Sequence, residues 1–278
     1  MNSFTLLNGI QVAKERETRL RDEFSNLKSK AKLAIIQVGL RPDSTKYVEH
    51  KKRFAERVGV EVCQILIPET ITENELREEI KKLNEDKSIN GIIIQLPIPA
   101  HLQSHVILDA INPKKDVDGM TSHNLRLLYE NKDTIIPATT LGILSLLNEY
   151  KIPLAKKHVV IVGRSSLVGK PTALLFLNKD ATVTVCHSQT ENLSSFTSQA
   201  DILIVAVGIP NFIKKENVKN GATVIDVGIN VKEDGKVAGD VCFDDVKEVA
   251  SYITPVPGGV GPMTIVSLFE NLLKVSKP

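Results

Sequence analysis

Apolar residues recur along this chain in two rhythms, short unbroken runs and stripes at helical spacing, and the two alternate from end to end. That alternation predicts an α/β protein with parallel sheets, whose strands are covered on both faces and so carry few polar positions. In the first half, the runs at 33–38, 60–67 and 91–94 read as buried strands. Amphipathic helices are expected over roughly 10–28, from a cap at Asp43 or Ser44 to about 58, and over 72–84. A short helix through Val106, Ile107 and Leu108 and one more beyond it follow, and Thr139 or Thr140 caps a helix running to about Glu149. After Pro153 the pattern restarts. Strands are expected at 159–162, 182–186, 200–208 and 222–230, an edge pair within 235–241, a proline- and glycine-rich strip over 253–264, and a final helix to about Val275. The predicted division is a first domain over 1–140, a second over 141–263, and a C-terminal helix over 264–278 that packs back on the first.

One helix breaks its own pattern. On a wheel of ~100° per residue, Ser44, Tyr47, Val48, Phe54, Ala55 and Val58 fall on one side, and Lys51 lands among them while Lys46, Arg53 and Arg57 lie opposite. Such a lysine either snorkels, with its stem buried and its ammonium in water, or is desolvated so that the amine works near neutral pH. Position alone leaves both open. Gln95 stands at the carboxyl end of the third strand, where open α/β sheets gather their ligands, although a glutamine before Leu96-Pro97-Ile98-Pro99 also reads as plain loop. Asp116-Val117-Asp118-Gly119 reads equally as a turn with Asx hydrogen bonds or as a polar hook for a heterocycle carrying N–H donors.

In the second half, the strand at 159–162 ends in Gly163, and Gly169 opens the helix that follows. A glycine-bounded turn of this kind lets backbone N–H groups and a helix N-terminus approach a phosphate, and many such turns serve packing alone. It departs from G-x-G-x-x-G, with Ser165 at the second glycine position. The next strand runs into His187-Ser188-Gln189-Thr190, which lacks the acid that an NAD site offers to the ribose 2′-hydroxyl. With Arg164, Ser165 and Ser188 at hand, the missing carboxylate predicts NADP over NAD; Arg164 as a solvated loop residue is the plainer alternative.

Composition narrows the function classes. A chain of 278 residues with 42% hydrophobic content and a formal charge of +2 points to neither nucleic acid nor an anionic membrane as partner. Met1-Asn2-Ser3-Phe4-Thr5 lacks a signal-peptide pattern, and no apolar run reaches the ~18 residues that span a bilayer, so a cytoplasmic protein is expected. Cys63, Cys186 and Cys242 form no C-x-x-C pair, which argues against a disulfide framework or a zinc knuckle. The histidines show no H-E-x-x-H spacing, so no metal is expected, and the chain carries no P-loop for ATP.

Five motifs in order then speak together: Ser44-x-x-Tyr47-x-x-x-Lys51, Gln95-Leu96-Pro97-Ile98-Pro99, Lys115-Asp116-Val117-Asp118-Gly119, Gly163-Arg164-Ser165-x-x-Val168-Gly169-x-Pro171, and the strip from Thr254 to Thr264. Over essentially its full length the chain resembles the bifunctional methylenetetrahydrofolate dehydrogenase/cyclohydrolase family. The resemblance implies two α/β domains, the second a Rossmann-like parallel sheet, with the active-site cleft between them. It implies NADP-dependent oxidation of 5,10-methylenetetrahydrofolate to the methenyl form, then hydrolysis to 10-formyltetrahydrofolate. Lys51 would be the catalytic lysine, Gln95 its assistant, Tyr47 a stacking partner of the folate and Asp118 the anchor of the pterin. Pro257, Gly258 and Gly259 would line the substrate, while Gly163, Arg164, Ser165, Val168, Gly169, His187, Ser188, Ile229 and Thr264 would hold NADP. The resemblance further implies a homodimer joined through the NADP domain and a role in purine and amino-acid biosynthesis.

The family usually reads P-C-T-P-x-G where this chain has Pro137-Ala138-Thr139-Thr140-Leu141-Gly142, and a small effect on the interdomain hinge is expected. Another two-domain NADP-dependent dehydrogenase, such as the shikimate type, is the alternative. A non-catalytic NADP sensor is a third reading, against which Tyr47, Lys51, Gln95 and Asp118 all stand.

Overall fold

The computed structural model describes residues 4–231 and 235–277. They form two compact units: Lys14–Ala138 with the chain from Ile265 onward, and Thr139–Thr264 with the residues up to Ala13.

The first unit is built on a three-stranded parallel sheet in the order Glu61–Ile67, Lys32–Val38, Gly91–Ile94. Lys32–Val38 is paired on both edges and buried from Leu33 onward, which is why its apolar run has almost no polar interruption. One face of the sheet (Ala34, Ile36, Ile92, Ile94) packs with Leu76 and Ile80 of the helix Glu73–Glu85 and with Ile107. That helix starts where the sequence says it should, because Thr72 and Glu75 form a reciprocal capping box. The helix Pro42–Val58 places Phe54 against Phe269 of the C-terminal helix, with ring centroids 4.8 Å apart. Each such buried ring contributes roughly 1.5–3 kcal/mol.

The helix start at Pro42 differs from expectation. Asp43 and Ser44 lie inside the first turn and do not cap it; proline fits the first position since it has no N–H to leave unpaired, and Asp43 meets the positive end of the helix dipole. Gly59, at φ 77°, ends the helix in the left-handed conformation.

The second unit carries six parallel strands in the order Thr5–Leu6, Tyr252–Ile253, Thr223–Asp226, Ile202–Val205, His158–Val162, Thr182–Cys186. The first two are too short to show any period in sequence. The runs expected at 200–208 and 222–230 are strand only over Ile202–Val205 and Thr223–Asp226, and their ends turn out into loops at the carboxyl edge of the sheet. The edge pair expected within 235–241 forms differently, since only Val237–Ala238 lies there and it pairs antiparallel with Asn230–Val231. Two further differences concern helix starts. The helix Ala138–Glu149 begins before Thr139 and Thr140, whose hydroxyls bond Thr264 and Thr172 rather than capping. The helix Val260–Ser276 begins inside the proline-glycine strip. Among the described residues, no helix is long and apolar enough to cross a membrane.

Candidate active site

In the first unit the lysine anomaly resolves into a contact. Ser44, Val48, Phe54, Ala55 and Val58 are the buried residues of their helix, and Lys51, on the same side, turns its Nζ onto Gln95 Oε1 at 2.7 Å. Gln95 is held in turn: its backbone N–H donates to Ile36 O and its Nε2 to Leu96 O, both at 2.8 Å. Burial pushes the Lys51 ammonium below the ordinary lysine range, while the negative charge of Asp118 pulls the other way. Asp118 answers in kind, its carboxyl raised by burial, opposed by Lys51 and reinforced by the charge of Asp116. Both groups are thus drawn towards their neutral forms. Tyr47, one turn before Lys51, is 39% exposed, an aromatic face left open at the rim of the stripe.

The Asp118 turn is fixed by residues to which the sequence reading assigned no role of their own. Lys115 Nζ donates to the carbonyls of Leu83, Asn84 and Asp86, capping the C-terminal end of Glu73–Glu85. Asp116 is fully buried, and its Oδ2 accepts from Thr121 N (2.8 Å) and Asn124 Nδ2 (2.9 Å). Its backbone bridges to Ile92, so the turn is pinned beside the strand that delivers Gln95. Val117 is enclosed, and a Cβ on Gly91 would come within 2.6 Å of it. Val117 O also accepts from Asn271 of the C-terminal helix. With Lys115, Asp116 and Val117 committed to structure, Asp118 is the side chain of the motif whose charge acts on Lys51. The signal that finds these residues is the motif itself, but only packing shows which of them anchor the turn.

In the second unit the glycine turn is as tight as its sequence implies. Gly163 has φ 127°, and a Cβ there would approach Ala206 O to 2.3 Å; one on Gly169 would approach Gly163 O to 2.1 Å. Ser165 Oγ accepts from the N–H groups of Val168 (3.2 Å) and Gly169 (3.4 Å), shaping the entry to the helix Gly169–Leu177. Gly163 N donates to Cys186 O, which brings the neighbouring strands to their ends level, so Arg164 and Ser188 leave the sheet at equivalent positions, both exposed. The segment from His187 to Thr190 is itself a closed turn, His187 N donating to Thr190 Oγ1 and Thr190 N to His187 O.

Further along the unit, Ile229 is 46% exposed and lies beside Gly261, where a Cβ would meet its Cδ1 at 3.8 Å. Thr264 Oγ1 contacts Thr139 Oγ1 and Val260 O. Gly258 O accepts from Ile10 N, and Gly259 O leaves no room for a Cβ on Gly9. Pro257 is exposed. Lys51, Gln95 and Asp118 therefore group in one unit, and the glycine turn, Ser188, Ile229 and Thr264 belong to the other. Among the described residues no cluster of His, Cys, Asp or Glu could hold a metal ion.

The comparisons with known proteins place these two groups of residues in separate family domains. The tetrahydrofolate dehydrogenase/cyclohydrolase catalytic-domain model matches residues 7–118, and the NAD(P)-binding-domain model of that family matches 137–278. A bifunctional protein FolD of Bacillus cytotoxicus is 46% identical over 275 residues, covering 98% of this chain and 96% of its own. The crystal structure of the FolD methylenetetrahydrofolate dehydrogenase/cyclohydrolase of Campylobacter jejuni superposes with a TM-score of 0.97 at 44% identity, over 99% of both chains. The Trypanosoma brucei enzyme, complexed with NADP cofactor and inhibitor, gives 0.94 at 35% identity, over 99% of this chain and 98% of its own. A shikimate dehydrogenase from Aquifex aeolicus, the alternative type, shares the fold alone, at 9% identity and a TM-score of 0.55. The chain belongs to the tetrahydrofolate dehydrogenase/cyclohydrolase family.

Proposed function

We propose that the family's two activities rest on two separate groups of residues in this chain, hydrolysis on Lys51, Gln95 and Asp118, and hydride transfer on the glycine turn that holds NADP. The chain is a bifunctional folate enzyme: it oxidises 5,10-methylenetetrahydrofolate to 5,10-methenyltetrahydrofolate with NADP+ and hydrolyses that product to 10-formyltetrahydrofolate.

The observation that carries the residue assignment is the enclosed Lys51 amine, hydrogen-bonded to Gln95 and pushed below its ordinary pKa by burial. A neutral amine is a base, and Gln95 Oε1, by accepting an N–H, leaves the lone pair on the other side free. As water adds to the methenyl carbon, the C–O bond forms and Lys51 takes a proton from it. As the bond from carbon to N5 breaks, the ammonium returns a proton to N5, and the hydroxyl proton leaves as the carbonyl forms. One proton is released overall. Tyr47 offers its exposed ring to the flat face of the folate, and Asp118 offers carboxyl oxygens to the pterin N–H groups.

What supports a dinucleotide in the second unit is a turn packed so closely that neither Gly163 nor Gly169 has room for a Cβ, so that only backbone stands between the strand and the N-terminus of Gly169–Leu177. NADP+, when bound, supplies the hydride acceptor. The N–H groups at the start of Gly169–Leu177 would face its pyrophosphate, and Arg164 and Ser188, with no acid between His187 and Thr190, would take the 2′-phosphate. A homodimer joined through this unit is part of the reading; the edge strand Thr182–Cys186, with Val185 37% exposed, is the surface that supports it. So are a cytoplasmic location and the supply of one-carbon units to purine and amino-acid synthesis.

A single coupled assay tests the function. NADP+ added to methylenetetrahydrofolate and enzyme should produce methenyl absorbance that rises and then decays. Preference for NAD+ overturns the 2′-phosphate assignment, and methenyl decay no faster than without enzyme overturns the hydrolytic one.

A further inference from the structure

Two buried carboxylates in the second unit take no part in the chemistry above, and their surroundings set them apart from ordinary core residues. Asp240 is fully enclosed, and three consecutive loop N–H groups converge on it: Val207 N (2.6 Å) and Gly208 N (2.9 Å) on Oδ2, Ile209 N (3.0 Å) on Oδ1. Asn230 Nδ2 adds a fourth donor at 2.9 Å. Asp226, 3% exposed at the end of its strand, accepts from Gly228 N and Asp240 N on Oδ1 (both 3.0 Å) and from Val241 N on Oδ2 (2.9 Å). The segment 239–241 therefore ties the loop after Ile202–Val205 to the loop after Thr223–Asp226 through these two side chains.

The surrounding sequence is cut to fit them. A Cβ on Gly228 would lie 2.1 Å from Asp240 Oδ1, and one on Gly239 would lie 1.9 Å from Asp226 Oδ2. Neither glycine has a positive φ, so what each provides is room, not an unusual backbone. Both tied loops leave the carboxyl ends of parallel strands, the edge where such sheets bind their ligands. Each loop carries an apolar side chain into the open, Ile209 at 48% exposed and Ile229 at 46%. The carboxylates turn the loop N–H groups inward, and the apolar side chains are what the loops present outward.

We propose that Asp240 is a positioning residue for the dinucleotide: its carboxylate sets the conformation of the 207–209 loop and, through Asn230, of the loop bearing Ile229, and so shapes the surface on which the nicotinamide half of NADP rests. This deepens the assignment of the glycine turn and rests on it. The groups assigned to hydrolysis, Lys51, Gln95 and Asp118, all belong to the other unit. Loss of the brace therefore separates the two activities, whereas a general loss of stability lowers them together.

The test uses the full chain carrying Asp240→Asn. The amide has one acceptor oxygen where the carboxylate had two, and its NH2 faces donors. KM for NADP+ in the dehydrogenase assay should rise by about tenfold or more. Hydrolysis of methenyltetrahydrofolate, measured without dinucleotide, should stay within about twofold. An unchanged KM, or an equal fall in both activities, overturns the proposal. Asn230→Ala, which removes one donor from a half-buried position, gives the same split at about threefold and decides the matter if Asp240→Asn does not fold. Arg164→Ala is assayed beside them. If it raises KM for NADP+ while the other two variants do not, the brace is refuted and the dinucleotide assignment stands; if all three leave KM unchanged, both fall.

Discussion

Lys51 Nζ donates to Gln95 Oε1 across 2.7 Å, joining a residue in mid-helix to the first residue beyond a strand, 44 positions later. The glutamine oxygen satisfies one N–H of an amine that burial has made less basic. Replacing Lys51 by methionine, which keeps the stem and removes the amine, should lower hydrolysis by about 10²–10⁴-fold while NADP+ binding, followed by fluorescence titration, is unchanged. Full hydrolysis in K51M would remove Lys51 from the mechanism.

The Asp118 charge holds the Lys51 pKa up against burial. In Asp118→Asn that support is gone, the ammonium loses its proton more readily, and the pH at which kcat for hydrolysis reaches half its plateau should move down. A pH–rate profile reads this directly, and an upward shift would contradict the coupling. The variant should also raise KM for the folate.

Arg164→Ala should lower the ratio of kcat/KM with NADP+ to that with NAD+ by about tenfold or more, as expected for one charge-assisted contact to phosphate. Equal effects on both dinucleotides would move Arg164 away from the 2′-position.

Lys115 holds three carbonyls at the end of Glu73–Glu85 and also stands at the head of the Asp118 turn. Lys115→Met should cost on the order of 1–3 kcal/mol in urea denaturation and raise KM for the folate by displacing Asp118. A loss of stability with KM unaltered would show that the turn does not depend on this anchor.

Asp226 is raised from 3.8 to about 6, first by burial, with backbone donors from Val241 and Asp240 opposing it. The unfolded chain gives up this proton near 3.8 and the folded chain near 6, so between those values the folded state binds more protons and stability falls as pH rises. The contribution is on the order of 3 kcal/mol. Asp226→Asn cannot ionise. The stability of the wild type relative to this variant should therefore decline by that amount from about pH 4 to about pH 7, measured by urea unfolding at each pH; a difference that grows with pH would mean that the donors outweigh burial.

The helices and strands with long apolar patterns were legible because burial on both faces, or along one stripe, writes itself into residue order. The strand Lys32–Val38 and the helix Glu73–Glu85 are of this kind, and the turn between Gly163 and Gly169 was legible from its glycines. Thr5–Leu6 and Tyr252–Ile253 were not, since two residues cannot show a period. Helix starts were misplaced by a residue or two wherever a proline or a tertiary contact outweighed the local cap, as at Pro42 and Ala138.

Residue order alone determined that Lys51 stands out of place on its helix, that no acid stands among residues 187–190 after the strand Thr182–Cys186, and that the chain carries the motifs of a folate enzyme. It left open whether Lys51 snorkels, and it could not separate Asp118 from Asp116. Those questions turn on which atoms a side chain meets across tens of residues, and a one-dimensional pattern records burial but not the partner. The tertiary structure brought Gln95 to the lysine and enclosed Asp116 with Thr121 and Asn124, and it gathered loop N–H groups around Asp240, on which residue order is silent.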